Sequence, residues 1–519
     1  MRTERAAKNI AMSIVSQIII ILLGFISRKV FINSLGAEYL GVNGLLTNVL
    51  SMMVLIESGI GISIVYNLYK PLAEGDEEKI IALVQLYKKA YGVLAMIMLG
   101  MSCVLYLFLG KLMKTDQPIS GMFLVYSIFV IKNMVSYLNA YKWALINADQ
   151  KGYILSRNNL FFQIITTVIK IAVLKITDSY LMFLVAELII FIGQNIFNTY
   201  VVYKHYPYIK TKENRVIDQD TKKNINQNVR AMFLHNIGGY LVTSTDNILI
   251  SALVSLKSLG LYSNYTMVIG QLSALLGPII GGIGAGVGNL IATEDRKKVY
   301  SIFKISFFVS FWIYSFAAIF LFNLLEPFIE WWIGEGYLLD RLTFLVILLN
   351  FYIGGMRGPI GTFKSKAGLF VQDKYAPVIE GVLNLVASII LVRYIGLVGV
   401  FIGTTISTLA VPFWNQARIV YRELFKQPVR KFFYKYMIYT ILMLVSGFIT
   451  TVICNTCVSG NSFISLVMRG MICVLVPNAI YLGLFFRTKE FEYLWNAIKG
   501  QTLRLRIKNR NVVELEREG

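Results

Sequence analysis

Residues 10–32 read IAMSIVSQIIIILLGFISRKVFI, a run long and apolar enough to cross a bilayer as one helix of about 20 residues. Arg2, Arg5 and Lys8 precede it, as in a signal peptide. No small-residue cleavage site follows, so the run reads as an uncleaved first transmembrane helix. Arg28 and Lys29 lie inside it. A cation at the centre of a bilayer costs about 3 kcal/mol or more, unless it faces protein or a water-filled cavity.

The rest of the chain repeats that pattern. Of its 519 residues 56% are hydrophobic and 15% are charged, well below the roughly 25% of a soluble globule. Mean hydropathy is +0.62. The formal net charge is +21, which in a soluble protein would suggest nucleic acid. Here the basic residues collect in loops, as they do on the cytoplasmic side of membrane proteins, and no nucleic-acid partner is expected. Cys103, Cys454, Cys457 and Cys473 fall in or near apolar segments. Cys454 and Cys457 have a redox-like spacing, but no second pair and no histidine cluster accompany them, so neither a metal nor a cofactor is expected.

By length, the expected fold is an all-α polytopic membrane protein of about 14 spans: 10–32, 42–69, 81–110, 119–147, 157–176, 180–203, 230–255, 262–290, 300–325, 341–363, 376–393, 397–420, 436–458 and 464–486. The basic runs 204–230 and 418–435 and the basic tail put both termini in the cytoplasm. Trp331 and Trp332 then fall in the longest outer loop, 326–340, as an interfacial anchor. Leu40-Gly41 and Leu259-Gly260 close two similar helix–loop–helix stretches 219 residues apart. This weak repeat maps spans 1–6 onto spans 7–12 in the same orientation, giving a parallel pseudo-two-fold. The expected domains are a six-helix bundle at 1–204, a basic cytoplasmic linker at 205–229, and a second six-helix bundle at 230–421. Two additional helices at 436–486 and a basic cytoplasmic tail at 487–519 follow.

Polar residues recur at helical spacing on single faces: Ser13, Gln17, Gly24 and Arg28; Asn159, Gln163, Thr166 and Lys170; Glu187, Gln194 and Asn198; Asn350, Gly354, Arg357 and Gly361. Helix-to-helix hydrogen bonding accounts for many of the neutral ones. The ionised ones are harder to absorb that way, because their signs do not balance and an unpaired buried charge is costly. The excess is basic, which suits an anion. A diphosphate needs several cationic donors, and Arg28, Lys29, Lys132, Lys170 and Arg357 are the candidates. Lys142, like Lys29, can instead snorkel to an interface. Glu57, Asp246 and Glu380 are candidates to carry a coupling proton or sodium ion, or to pin an arginine. His235 shares a helical face with Asp246 and reads first as a hydrogen-bonded structural histidine, with a proton relay as the functional alternative. Glycine-rich runs at 277–288 and 354–361 allow a hinge or simple close packing.

Several motifs carry a family resemblance: Ser27-Arg28-Lys29 through Asn33, Leu35-Gly36-Ala37-Glu38-Tyr39-Leu40-Gly41, Glu57-Ser58-Gly59, and Tyr69-Lys70-Pro71-Leu72-Ala73 with the acidic turn to Glu78. Together they resemble the Wzx-type polysaccharide biosynthesis flippases of the multidrug/oligosaccharidyl-lipid/polysaccharide exporter superfamily. The resemblance implies a bacterial plasma-membrane transporter that alternates between inward and outward openings. It implies a polyprenyl-diphosphate-linked glycan as substrate, the bilayer as surroundings, and a lipid tail cradled by spans 13 and 14. Polysaccharide polymerase machinery is a further partner to expect. The related lipid II flippases grip the diphosphate with clustered arginines, whereas lysines supply much of the charge here.

A lipid II flippase is the nearest alternative, differing in the sugar recognised. A multidrug or cation antiporter of the same superfamily should have an acid-dominated cavity, against the basic excess here. A membrane glycan polymerase or ligase needs a sizeable outer loop. The sequence offers only short ones, with no nucleophile triad, metal-ligand cluster or phosphate-cradling loop, so no enzyme is expected.

Overall fold

The computed structural model describes residues 2–52, 60–114, 119, 121–149, 151–211, 213, 215, 217–219, 221–223, 225, 245–285, 287–369, 371–460 and 462–496. Among the described residues there is no strand. The helices are α1 (Arg2–Met52), α2 (Ile60–Glu74), α3 (Glu77–Leu112), α4 (Met122–Ala148), α5 (Gly152–Thr177), α6 (Tyr180–His205), α7 (Thr245–Leu249), α8 (Leu256–Ala285), α9 (Val287–Thr293), α10 (Arg296–Ile333), α11 (Arg341–Lys366), α12 (Ala376–Ile395), α13 (Leu397–Ala410), α14 (Pro412–Ile419), α15 (Arg430–Cys457) and α16 (Phe463–Phe485). Among the described residues, eleven helices are long and apolar enough to cross a membrane. Each of the 14 expected spans contains helix wherever it is described. The chain is an all-α polytopic membrane protein, as its hydropathy predicts.

Local chemistry sets the helix limits. Asp76, Asp295 and Asp340 cap α3, α10 and α11, each accepting a hydrogen bond from the backbone N–H three residues on. Such a bond satisfies one of the donors that a helix start leaves open. The first span and the start of the second run together as α1, broken only at Gly36, where φ is 82°. Glycine alone adopts that backbone cheaply. One expectation needs correction. Trp331 and Trp332 are not in an outer loop but in the last turn of α10, which continues through Pro327 to Ile333. Trp332 is buried and stacks on Phe328, so aromatic packing extends the helix past the expected loop start.

The chain divides into two compact units: Met1–Asn264 with Pro377–Thr404, and Tyr265–Ala376 with Thr405–Gly519. In the first unit α1 packs on α5, α3 on α4, and α6 on both α4 and α5. Described parts of the basic linker dock on the start of α3. Arg215 pairs with Glu78 and Lys79 with Asp218, while Gln85 bonds the backbone of both Glu213 and Arg215. Burial beside Glu77 and Asp149 pushes the Tyr208 hydroxyl up to about 12.

The repeat seen in the sequence has a structural counterpart in this unit. A Cβ built on Gly41 would collide with the backbone of Leu256, and one built on Gly260 would collide with the backbone of Ala37. Both pairs are related by the same 219-residue offset, so the contact is reciprocal. Two equivalent helix starts cross backbone to backbone, and glycine is what lets them approach that closely.

The second unit packs α10 against α11, α15 and α16. Its core is aromatic: Phe303, Phe307, Phe311, Tyr439, Tyr481 and Phe485 are all buried. Phe311 and Tyr439 stack with ring centroids 4.2 Å apart. On the outer faces of α15 and α16, Leu444, Phe448, Ile464 and Leu475 are exposed, an apolar exterior suited to lipid.

Candidate functional site

Lys132 on α4, Lys170 on α5 and Glu187 on α6 meet inside the first unit. Each lysine donates to a different oxygen of the one carboxylate: Lys132 to Oε1, and Lys170 to Oε2 at 2.5 Å. The three side chains are about one-fifth exposed. Aromatic rings hold the ammonium groups as well. Lys170 lies 4.1 Å from the centroid of Phe183, and Lys132 lies 5.8 Å from that of Phe191. The cluster carries two positive charges against one negative.

Arg28 is a second, separate cation. It donates to Ser263 Oγ at 2.8 Å and to Asn264 Oδ1 at 3.2 Å, both neutral groups. Among the described residues no carboxylate pairs with it. A helical turn beyond Arg28, the ring of Phe31 packs on Phe183, the ring under Lys170. The structure therefore brings Lys132 and Lys170 together on Glu187, while Arg28 bonds elsewhere, to Ser263 and Asn264.

The other expected cations fall elsewhere. Lys29 is exposed. Arg357 is half-buried on α11 in the second unit. Glu57 and His235 lie outside the described residues.

Asp246 belongs to a polar cluster formed by α7, α12 and α13, also in the first unit, and Glu380 lies on α12. Thr245 donates to Asn384 Oδ1 at 3.5 Å, Asn384 to Thr404 Oγ1 at 2.9 Å, and Thr404 to Asp246 Oδ2 at 3.3 Å. Among the described residues the other carboxylate oxygen of Asp246 is buried with no hydrogen-bond partner. Glu380 is buried one turn before Asn384. Oxygen is the donor type that hard cations prefer, and a carboxylate with an open oxygen also suits a proton.

One expectation is corrected here and one feature has no sequence signal. Lys142 does not snorkel: it is only 8% exposed and donates to Asn139 Oδ1 at 2.6 Å and Thr199 Oγ1 at 3.0 Å. Its partner Asn139 precedes it by three residues, a helical spacing that could have flagged the pair. The second unit also holds an apolar groove of about 440 Å³ between α10, α11 and α15, lined by Phe322, Leu345, Leu349, Met443 and Phe448. Uniformly apolar helices give no sequence signal for such a groove.

The fold has solved counterparts. The lipid II flippase MurJ in an inward closed conformation matches with a TM-score of 0.61 at 14% identity, over 92% of this chain and 99% of that one. The Vibrio cholerae MATE transporter VcmN, as a point mutant, matches with a TM-score of 0.55 at 11% identity, over 82% and 99%. An inward-facing multidrug resistance MATE family transporter matches with a TM-score of 0.52 at 13% identity, over 77% and 94%. At these identities the likeness is one of fold. No curated protein matches the sequence. The family model described as "polysaccharide biosynthesis protein" matches residues 6–283, more than half of the sequence. The resemblance read from the N-terminal motifs is thereby borne out: the chain belongs to the polysaccharide biosynthesis protein family and carries the fold of the MurJ and MATE transporters.

Proposed function

We propose that this protein flips a polyprenyl-diphosphate-linked oligosaccharide across the bacterial plasma membrane by alternating access, supplying cell-surface polysaccharide synthesis. One observation carries the reading. Within the first unit, Lys132 and Lys170 share a single carboxylate while Arg28, among the described residues, bonds only the neutral Ser263 and Asn264. That surplus of positive charge inside a membrane bundle is costly in the empty protein and is relieved by an anionic ligand. A diphosphate supplies two or more negative charges and acceptors for each cation.

The remaining features have roles in this reading. The apolar groove on α10, α11 and α15 takes part of the lipid tail. Asp246 or Glu380 carries the coupling proton or sodium ion. Both termini face the cytoplasm, where the basic linker and tail meet anionic headgroups.

The match to a lipid II flippase over nearly the whole chain supports a second reading, transport of a peptidoglycan precursor. Both substrates carry a polyprenyl diphosphate and differ in the sugar portion. Proteoliposomes loaded with a labelled polyprenyl-diphosphate oligosaccharide, with lipid II, or with an organic cation separate the alternatives. The proposal expects protein-dependent movement of the oligosaccharide lipid. Movement of lipid II alone would favour the second reading, and ion-coupled movement of the cation alone would make this an antiporter.

A further inference from the structure

The first unit holds an open cavity of about 490 Å³ lined by amides and aromatic rings, within the range of roughly 300–1,000 Å³ typical of small-molecule sites. It opens along α4, α5 and α6 with one wall from α3. Among the described residues, no carboxylate, lysine, arginine or histidine lines it. Its polar surface is mostly carboxamide, from Asn133, Asn147, Asn159, Gln194, Asn195 and Asn198, and its broad faces include Tyr91, Tyr137 and Trp143.

Such a wall has an ordinary explanation in helix-to-helix bonding, and part of it works that way. Gln194 and Asn198 both donate to Asn159 Oδ1 across α5 and α6, at 2.7 and 2.9 Å. Asn133 and Asn195 instead donate to their own helices, to the carbonyls of Phe129 and Phe191 at 3.0 and 2.8 Å. Those two amides join no helices together, yet they are spent on a cavity wall. Buried amides on a cavity of this volume inside a membrane bundle are expensive unless something uses them. Amides that both donate and accept, beside aromatic faces, match the hydroxyls and C–H faces of a neutral sugar.

The cavity also adjoins the cation cluster. Asn133 follows Lys132 in sequence, and Phe191, which lines the cavity, lies under the Lys132 ammonium. At its other end the cavity reaches Asn147 and Gly152, beside the α4–α5 turn.

We infer that this cavity is a carbohydrate site that receives uncharged sugar residues of the transported glycan. The inference rests on the flippase reading for its biological meaning but not for its chemistry. The diphosphate lies at Lys132 and Lys170, and the first sugars extend from it along the amide wall toward the α4–α5 turn.

The test is saturation-transfer NMR on the purified full chain with neutral disaccharides of glucose, galactose, mannose, N-acetylglucosamine and N-acetylgalactosamine, and with a uronic-acid disaccharide as the charged control. The expected result is that at least one neutral disaccharide binds. Its signal falls tenfold or more in Trp143→Leu and in Ser136→Phe, which plugs the cavity from a lining position, and it survives in Trp143→Phe. Ser136→Phe removes no packing group, so a folding failure of Trp143→Leu leaves the test intact. Absence of binding by every neutral disaccharide, equal binding by the acidic one, or binding untouched by both variants overturns the inference. Transport is scored separately. A protein that binds the disaccharide but moves no polyprenyl-diphosphate oligosaccharide keeps the sugar site and loses the flippase reading. One that moves the oligosaccharide without binding any disaccharide does the reverse.

Discussion

At the scale of single residues, the charge count at Glu187 decides between structural glue and a binding site. One carboxylate serves two ammonium groups. Removing it leaves two like charges facing each other in a low-dielectric bundle. Breaking a buried ion pair from one side costs about 3–5 kcal/mol. Glu187→Gln is therefore expected to lower stability by about that much, seen as a large drop in the unfolding midpoint of the purified protein in detergent. Lys170→Met leaves the Lys132–Glu187 pair intact and neutral, so its stability should change by less than about 1 kcal/mol. Equal losses in both variants would mean that the second lysine is a structural partner rather than a surplus charge. The sequence showed each of these ions but not which of them meet. Helical spacing places Lys170 on a face of α5 and Glu187 on a face of α6, and it carries no information about which faces turn toward each other.

At the scale of elements, the crossing of the two equivalent helix starts is the most constrained packing contact in the first unit. Gly41 and Gly260 each lie against the partner backbone, whereas Gly44 has only an ordinary contact with Leu259. Backbone cannot move aside as a side chain can. Gly41→Val and Gly260→Val should each destabilise the protein by about 1–3 kcal/mol, the usual cost of overpacking. Gly44→Ala should cost under about 1 kcal/mol by the same measurement. A tolerated valine at both tight positions would mean that these helices do not cross as described. The pair was legible in the sequence as a faint Leu-Gly repeat. That Gly41 meets the equivalent of Ala37 was not, because the repeat reports similarity and not contact. The end of α10 was misread for a related reason. The length criterion ends the span at 325, but stacking of Phe328 on Trp332 carries the helix on to Ile333.

At the scale of the whole molecule, hydropathy made the membrane class and the spans legible, because each span must satisfy its backbone internally and so must be long, apolar and helical. The interior was less legible: its amides and apolar groove follow from which helices pack together. Orientation is the whole-molecule property most directly open to test. Lys222→Cys in the basic linker and Glu335→Cys between α10 and α11 each place a thiol in a polar segment. With the native cysteines replaced, an impermeant maleimide added to intact cells should label position 335 and not position 222. The reverse pattern would invert the topology and place the basic linker outside.

The most direct measurement is the rate at which proteoliposomes translocate a polyprenyl-diphosphate oligosaccharide, compared among the unaltered protein, Arg28→Ala and Lys170→Met at matched, verified folding. A diphosphate held by these cations predicts a loss of tenfold or more in each variant, about 1.4 kcal/mol or more of lost stabilisation. Translocation at the unaltered rate in both would contradict the cationic site and leave Lys132, Lys170 and Arg28 as structural charges.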